Sequence, residues 1–136
     1  MTPDAPEPKV TASIRLRMGP SDAAYAHGLV PGARVLAMFG DVQTELAIRE
    51  GGDEGLTLGY DSVELTEPVF VGDFIEARGE VVSRGNTSRK VEMTAHKIIA
   101  GSSDGSGKVL DPPVLVAKGA STLVVGTKDR VAAAGS

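Results

Sequence analysis

Two carboxylates stand four residues apart in a stretch whose apolar residues recur with helical spacing. Asp41 and Glu45 both fall within residues 31–50, and on a helix they share one stripe with Arg34 and the apolar Met38. Two acids of like charge beside apolar side chains are an unusual surface pattern, so we predict that both are partly buried. The ordinary alternative is a solvated acidic face. The pattern therefore marks a candidate site for proton or cation chemistry.

The beginning of the same helix is a second candidate. Proline suits the first turn of a helix, and Pro31-Gly32 therefore predicts a helix start whose free backbone N–H groups form an anion or carbonyl site. Asp22, Tyr25 and His27 are concentrated in the loop just before this point. For each of these three residues a structural role stays open, in which Asp22 caps a turn and Tyr25 packs its ring.

Residues 31–50 are the only long helix that the sequence predicts. Gln43 interrupts its apolar arc and has no explanation beyond an edge position. The arc consists of Val35, Leu36, Phe39, Val42, Leu46 and Ala47.

The other regular segments alternate apolar and polar residues, which indicates strands with one buried face. The predicted strands cover residues 10–18, 55–69, 74–83, 88–99 and 114–125, with a bulge near Asp61-Ser62 and a hairpin turn at 84–87. We predict a flexible loop over 101–113, where apolar residues are few. This order predicts an α+β fold, a single hot-dog domain in which one long helix is wrapped by a curved, mostly antiparallel five-stranded sheet.

Composition narrows the function classes. A chain of 136 residues supports one domain, with flexible tails expected at 1–9 and 128–136 around a domain at 10–127. A net charge of −4 argues against nucleic acid or an anionic membrane as partner. The chain has no cysteine and two histidines, so we expect no metal site, and no signal sequence is apparent, so we expect a cytoplasmic protein.

The chain resembles the 3-aminobutyryl-CoA and β-alanyl-CoA ammonia-lyases of the hot-dog thioesterase and dehydratase superfamily. The resemblance rests on LVPGARVLAMFGDVQTEL, YDSVELTEPVFVGDFIEARGE, GNTSRK and PPVLVAKG, of which GDVQTEL and GDFIEARGE are the most specific. The loop departs from the family pattern of Asp-Ala-His-Tyr followed by two glycines and an asparagine. Here Ala24 stands in place of the histidine, Ala26-His27 in place of the glycines and Gly28 in place of the asparagine.

The resemblance implies reversible elimination of ammonia from a 3-aminoacyl-CoA, with coenzyme A as part of the substrate and no other cofactor. It implies a general base at Glu45, an ammonium site at Asp41, further catalytic residues at Asp22 and Tyr25, and thioester contacts at Gly32 and Ala33. His27 is a further catalytic candidate, as a substitute for the histidine that Ala24 replaces. The CoA contacts would come from Arg34, Asn86, Arg89 and Lys90, each of which can equally be ordinary solvated polar surface.

Two other functions remain open on these residues. An acyl-CoA thioesterase would use the same helix tip, with Asp41 or Glu45 activating water, and a non-catalytic acyl-CoA-binding protein would use the acids only at an interface. In each case the resemblance implies a homo-oligomer built on a dimer, which can extend to a trimer of dimers.

Overall fold

The computed structural model of the protein describes residues 9–127. The predicted tails, apart from Lys9, lie outside these residues, at 1–8 and 128–136. The one long helix, α1, spans Gly32–Gly51. It begins after Pro31, which has extended backbone angles, and ends at Gly52, whose φ of 81° is left-handed and whose N–H donates to the carbonyl of Ile48. The predicted helix is therefore confirmed to within one residue at each end.

Within residues 9–127, seven strands accompany the helix. They are β1 (Thr11–Arg17), β2 (Leu29–Val30), β3 (Leu56–Leu65), β4 (Val69–Phe70), β5 (Phe74–Arg84), β6 (Ser88–Gly101) and β7 (Gly107–Val124). Five of them form one sheet in the order β1-β5-β6-β7-β3, in which every pair is antiparallel, while β2 and β4 form a separate two-stranded ribbon. The predicted α+β architecture of one helix on a five-stranded antiparallel sheet is confirmed.

The helix packs across one face of this sheet and touches β1 and β5 most. Gly79 of β5 allows the close approach, because a Cβ atom placed there would lie 2.6 Å from a methyl group of Val42. Most of the predicted apolar arc is buried, as expected. Two positions are buried more deeply than the sequence indicates: Met38 is fully buried and Gln43 is only 2% exposed. Met38 lies on the flank of the arc, where the curvature of the sheet brings strands against a wider sector of the helix. Gln43 lies within the arc and is covered by β3 and β7.

The strand β7 is longer than the sequence predicts. It begins at Gly107 instead of Val114, so half of the predicted flexible loop is a strand, and only Ser102–Ser106 remain as a turn. The added segment pairs with the end of β6, for example Ile99 with Val109. Its residues are mostly exposed, so the backbone ladder holds them without the alternation that sequence analysis detects.

The strand β3 is an edge strand with unusual composition. It has two irregularities in its pairing with β7, one of them between Tyr60 and Ser62 where a bulge was predicted. All ten of its residues are exposed in the single chain. The large apolar members are Leu56, Leu58, Tyr60, Val63 and Leu65. A long exposed apolar edge is normally covered, because its free backbone groups can pair with another strand.

Candidate active site

The tip of α1 presents free backbone donors. Arg34 N–H already bonds to the carbonyl of Pro31 at 3.0 Å, whereas the N–H groups of Gly32 and Ala33 meet no acceptor within residues 9–127. The first N–H groups of a helix carry partial positive charge because no preceding turn accepts from them. The tip can therefore bind an anion or polarise a carbonyl oxygen, as the sequence predicts for this position.

A cavity of about 330 Å³ lies at this tip. Its walls are mainly apolar and come from β2, the start of α1, the end of β3 and β4, with Tyr25, Thr66 and Glu67 as the polar contributors. Leu65 reaches over the tip, since a Cβ atom on Gly32 would overlap its side chain. The cavity thus combines a short apolar space with backbone donors, which suits the acyl end of a thioester.

The predicted loop residues separate into different roles. Asp22 accepts the N–H of Gly19 at 2.7 Å and the Nε–H of Arg34 at 2.7 Å, so it caps a turn and ties the loop to the helix. The hydrogen bond from Arg34 is the main cause that lowers the pKa of Asp22 below its usual value of 3.8. As a carboxylate bound to a guanidinium, Asp22 is suited to positioning.

Tyr25 and His27 differ in their distance from the cavity. Tyr25 lines it, and its ring is 61% exposed, so the expected alternative of a packed ring does not occur within the chain. His27 is exposed and does not line the cavity. It has a φ of 62°, a left-handed conformation that is uncommon for a residue other than glycine.

The two helix acids lie away from the tip in the single chain. Asp41 is exposed and lines neither the tip cavity nor the larger groove described next. Glu45 is partly exposed, accepts the Nε–H of Arg49 at 2.8 Å and lines a groove of about 780 Å³ beside β1. The prediction that both acids are partly buried is therefore wrong for Asp41 within one chain, because the helix turns this position to solvent.

Of the predicted CoA-binding residues, Arg34 lies at the helix tip, whereas Arg89 lies near the other end of the helix beside Arg84. Arg84 and Arg89 both donate to Glu50, at 2.7 and 2.6 Å, and the Glu50 side chain is only 7% exposed. The hydrogen bond from Arg84 is the main cause that lowers the pKa of Glu50, against the opposing effect of burial. Lys90 bonds to Asp61 at 3.2 Å across the sheet.

Asn86, in the hairpin between β5 and β6, is exposed. The hairpin forms where predicted, although neither Gly85 nor Asn86 has the positive φ that the sequence suggested. The single chain therefore does not gather the predicted residues into one site. They lie at the helix tip, along the helix and at the helix end.

A polar cluster around Gln43, inside the fold, was not predicted from the sequence. Gln43 is buried and makes four hydrogen bonds, one to the carbonyl of Phe39 within α1 and three that join α1 to β3 and β7. Its only signal in the sequence is an amide within an apolar arc, a pattern that predicts a buried polar residue with partners on other elements.

Comparison with known proteins agrees with this fold. The sequence model of the thioesterase superfamily matches residues 27–98. Over 115 residues the chain is 47% identical to a 3-aminobutyryl-CoA ammonia lyase of Acetoanaerobium sticklandii, an alignment that covers 82% of this chain and 91% of that protein. No helix within residues 9–127 is long and apolar enough to span a membrane.

Solved structures give the same result. The β-alanyl-CoA:ammonia lyase from Clostridium propionicum superimposes with a TM-score of 0.83 at 35% identity, over 86% of this chain and 85% of that one. A hexameric hotdog fold thioesterase of Campylobacter jejuni gives a TM-score of 0.72 at 28% identity, over 85% and 83% of the two chains. The fold and the helix-tip site thus define a hot-dog protein of the thioesterase superfamily. Within that superfamily the chain belongs to the family of the CoA-thioester ammonia lyases.

Proposed function

We propose that this protein catalyses the reversible elimination of ammonia from a 3-aminoacyl-CoA of the 3-aminobutyryl-CoA type, giving crotonyl-CoA. The observation that carries the proposal is the 47% identity to a 3-aminobutyryl-CoA ammonia lyase over nearly the whole of both chains. The cavity at the helix tip supports it, because it offers backbone donors beside a short apolar space. We also propose that the protein works in the cytoplasm.

The reaction sets clear chemical requirements. A base takes the α-proton of the substrate, the electron pair left on the α-carbon forms the double bond, and the C–N bond breaks. The β-ammonium group leaves as ammonia, which takes up one proton to become ammonium. Negative charge develops on the thioester oxygen while the α-proton is removed. The protein must therefore supply a base, donors for that oxygen and a group that attracts the ammonium.

The helix tip can supply the donors. The N–H groups of Gly32 and Ala33 point into the space in front of the helix, and each good donor of this kind contributes about 3 kcal/mol to transition-state stabilisation. The apolar walls of the cavity strengthen the interaction, because they exclude water from the developing charge.

The base and the donors cannot come from the same copy of the helix. A helix rises about 1.5 Å per residue, so Gly32 is roughly 14 Å from Asp41 and roughly 20 Å from Glu45 along the axis. The thioester carbonyl and the β-carbon are separated by only two bonds. A site that uses both the tip and the acids therefore needs the tip of one subunit and the acids of another.

The exposed edge of β3 offers a surface through which two copies of the chain can associate. Two copies of β3 can pair antiparallel along their exposed apolar edges and continue the sheet. The end of β3 packs on the helix tip of its own copy. In this antiparallel pairing, that end lies beside the beginning of β3 in the other copy. We therefore propose a dimer as the active unit, with a trimer of dimers as its extension. The hexameric thioesterase of similar fold supports that extension.

We assign Glu45 as general base and Asp41 as the ammonium site on the basis of the GDVQTEL motif rather than of the β3 pairing, because Glu45 lies beside β1, at the sheet edge opposite β3. Arg49 holds the Glu45 carboxylate in place, and Asp41 carries no hydrogen bond or ion pair within residues 9–127. Tyr25 borders the acyl cavity, and Asp22 fixes the loop through Arg34. His27 is exposed and does not line the cavity, and it enters the proposal only through its place in the loop.

Coenzyme A is proposed to lie along the outside of the dimer. Arg34 and Lys90 have exposed side-chain fractions of 30% and 53%, and both can meet phosphates from their present positions. Asn86 is exposed and close to Lys90 in sequence, while Arg89 must share its guanidinium with Glu50. Among the four, Arg89 therefore has the strongest structural role in the free chain.

A thioesterase remains the second candidate, because the superfamily match and the hexameric neighbour both carry that description. A non-catalytic acyl-CoA-binding protein is the third. Crotonyl-CoA and acryloyl-CoA, incubated with and without ammonium, separate the three. Loss of the enoyl-thioester absorbance that depends on ammonium supports the lyase. Release of free thiol from an acyl-CoA supports the thioesterase, and binding without turnover supports the third function.

A further inference from the structure

The amide of Gln43 is held in one orientation by its surroundings. Its Nε2 donates to the carbonyl of Phe39 at 3.2 Å and to the hydroxyl of Tyr60 at 2.8 Å. A carbonyl only accepts, so the nitrogen must face Phe39, and the Oε1 atom faces the other side. Oε1 accepts from Thr57 at 3.0 Å and from Ser121 at 2.8 Å. All four hydrogen-bonding positions of the amide are occupied.

This orientation distinguishes the three hydroxyl groups around the amide. Thr57 and Ser121 both give their proton to Gln43, so neither can donate elsewhere. Tyr60 instead accepts from Gln43, and its own proton meets no acceptor within residues 9–127. Tyr60 is 39% exposed, whereas Ser121 is completely buried. The cluster therefore leaves one directed donor, the phenol of Tyr60, with its proton available.

The position of Tyr60 indicates which group its hydroxyl can reach. Tyr60 lies within the exposed strand β3, and its hydroxyl is anchored to Gln43 in the middle of α1. In the proposed dimer, the first half of β3 lies beside the helix tip of the other copy. A thioester held at that tip would be bordered by this half of the strand, where Tyr60 is the hydroxyl that can still donate.

We propose that Tyr60 donates a hydrogen bond to the thioester oxygen of the acyl-CoA, and that Gln43 is the positioning residue that aims it. The inference rests on the proposed function and adds a side-chain donor to the backbone donors of the helix tip. Tyr60 keeps its proton throughout, so no bond to it forms or breaks. Its contribution grows as charge develops on the oxygen.

The variant Tyr60→Phe removes this hydroxyl and little else. We expect kcat for ammonia addition to crotonyl-CoA to fall about 10²–10³-fold, with a much smaller change in KM, because the donor acts mainly in the transition state. Thr57→Val is the matched control, since it also removes one hydroxyl from Gln43 but no available proton. A purely structural cluster would respond to both variants alike.

A spectroscopic measurement tests the contact without turnover. The carbonyl stretching band of bound butyryl-CoA, isolated by isotopic labelling, should move to higher frequency in Tyr60→Phe than in the unaltered protein and stay in place in Thr57→Val. An unchanged band together with unchanged kcat in Tyr60→Phe would overturn the proposal. If the unaltered protein adds no ammonia, the proposed function fails, while the band of butyryl-CoA still decides the role of Tyr60.

The variant Gln43→Met tests the positioning role. It leaves the Tyr60 hydroxyl in place but removes its anchor, so we expect kcat to fall by less than in Tyr60→Phe and the carbonyl band to broaden. In the double variant with Gln43→Met and Tyr60→Phe, the second substitution should lower kcat little further, because both act on one donor. If Gln43→Met does not fold, Tyr60→Phe and Thr57→Val decide the question.

Discussion

The two ends of helix α1 differ in how far the chain itself completes them. At the C-terminal end, Gly52 caps the helix, and Glu50 binds Arg84 and Arg89 in a nearly closed ion cluster. At the N-terminal end, the backbone donors of Gly32 and Ala33 face an open cavity, and the adjoining strand β3 is exposed along its length. One end thus serves stability, while the other is available for a ligand and a second subunit.

The largest effect is expected from the acid assigned as base. Glu45→Gln keeps the shape and the hydrogen bond to Arg49 but cannot take a proton. Turnover should fall by roughly 10²–10⁴-fold while binding of a CoA thioester persists. Glu54→Gln, at an exposed position after the helix, is the control. Near-full activity of Glu45→Gln would transfer the role of base to Asp41.

The second-largest effect is expected at the exposed edge of β3, which adjoins the N-terminal end of α1. Leu58 is 66% exposed, so Leu58→Lys should leave the folded chain stable but prevent pairing of two edges, since it places a charge in the interface. Sedimentation should then show a monomer with little lyase activity. Val109→Lys is the control, because Val109 is equally exposed on the β6–β7 hairpin. A monomeric unaltered protein at micromolar concentration would contradict the composite site.

Substitutions at the C-terminal end of α1 should change the stability of the protein and not its turnover. Glu50→Gln weakens two charge-assisted hydrogen bonds, and we expect the free energy of unfolding near neutral pH to fall by on the order of 2 kcal/mol. Glu76→Gln is the comparison, because its partners Arg15 and Arg78 are largely exposed and such pairs contribute less than about 1 kcal/mol. Equal losses in the two variants would show that burial of Glu50 adds nothing.

The same cluster has a defined pH dependence. The pKa of Glu50 is lower in the folded chain than its usual value of 4.5, so its ionised form is favoured by folding. The stabilisation is complete above pH 4.5 and is lost as the pH falls through the lower, folded-state pKa. Denaturant titrations should therefore show the difference between the unaltered protein and Glu50→Gln shrinking with acidification. A constant difference down to low pH would disprove the linkage.

The smallest effect is expected at His27. Because this residue is exposed, outside the cavity and at a left-handed φ, His27→Gly should relieve backbone strain of about 1 kcal/mol and keep ammonia addition within a few-fold. Thermal unfolding and crotonyl-CoA assays measure the two effects. Abolished addition in both His27→Gly and His27→Ala would instead show that the loop histidine takes part in the reaction.

Periodicity in the sequence was sufficient for most of the fold. The helix and the buried faces of β1, β5 and β6 were predicted because each element repeats its apolar residues with its own period. The beginning of β7 at Gly107 was missed, since this part is held by backbone pairing and carries no buried face. Local patterns report burial, and they say little about a strand that pairs in solvent.

The site, too, has features that follow from the sequence and features that depend on the tertiary structure. The sequence by itself determined the free N–H groups at the helix tip and the shared stripe of Asp41 and Glu45, because both follow from helical geometry. Only the tertiary structure brought Ser121 to Gln43, 78 positions away, and Arg84 to Glu50, 34 positions away. Such contacts depend on which strands become neighbours in the sheet, and that arrangement leaves no local pattern along the chain.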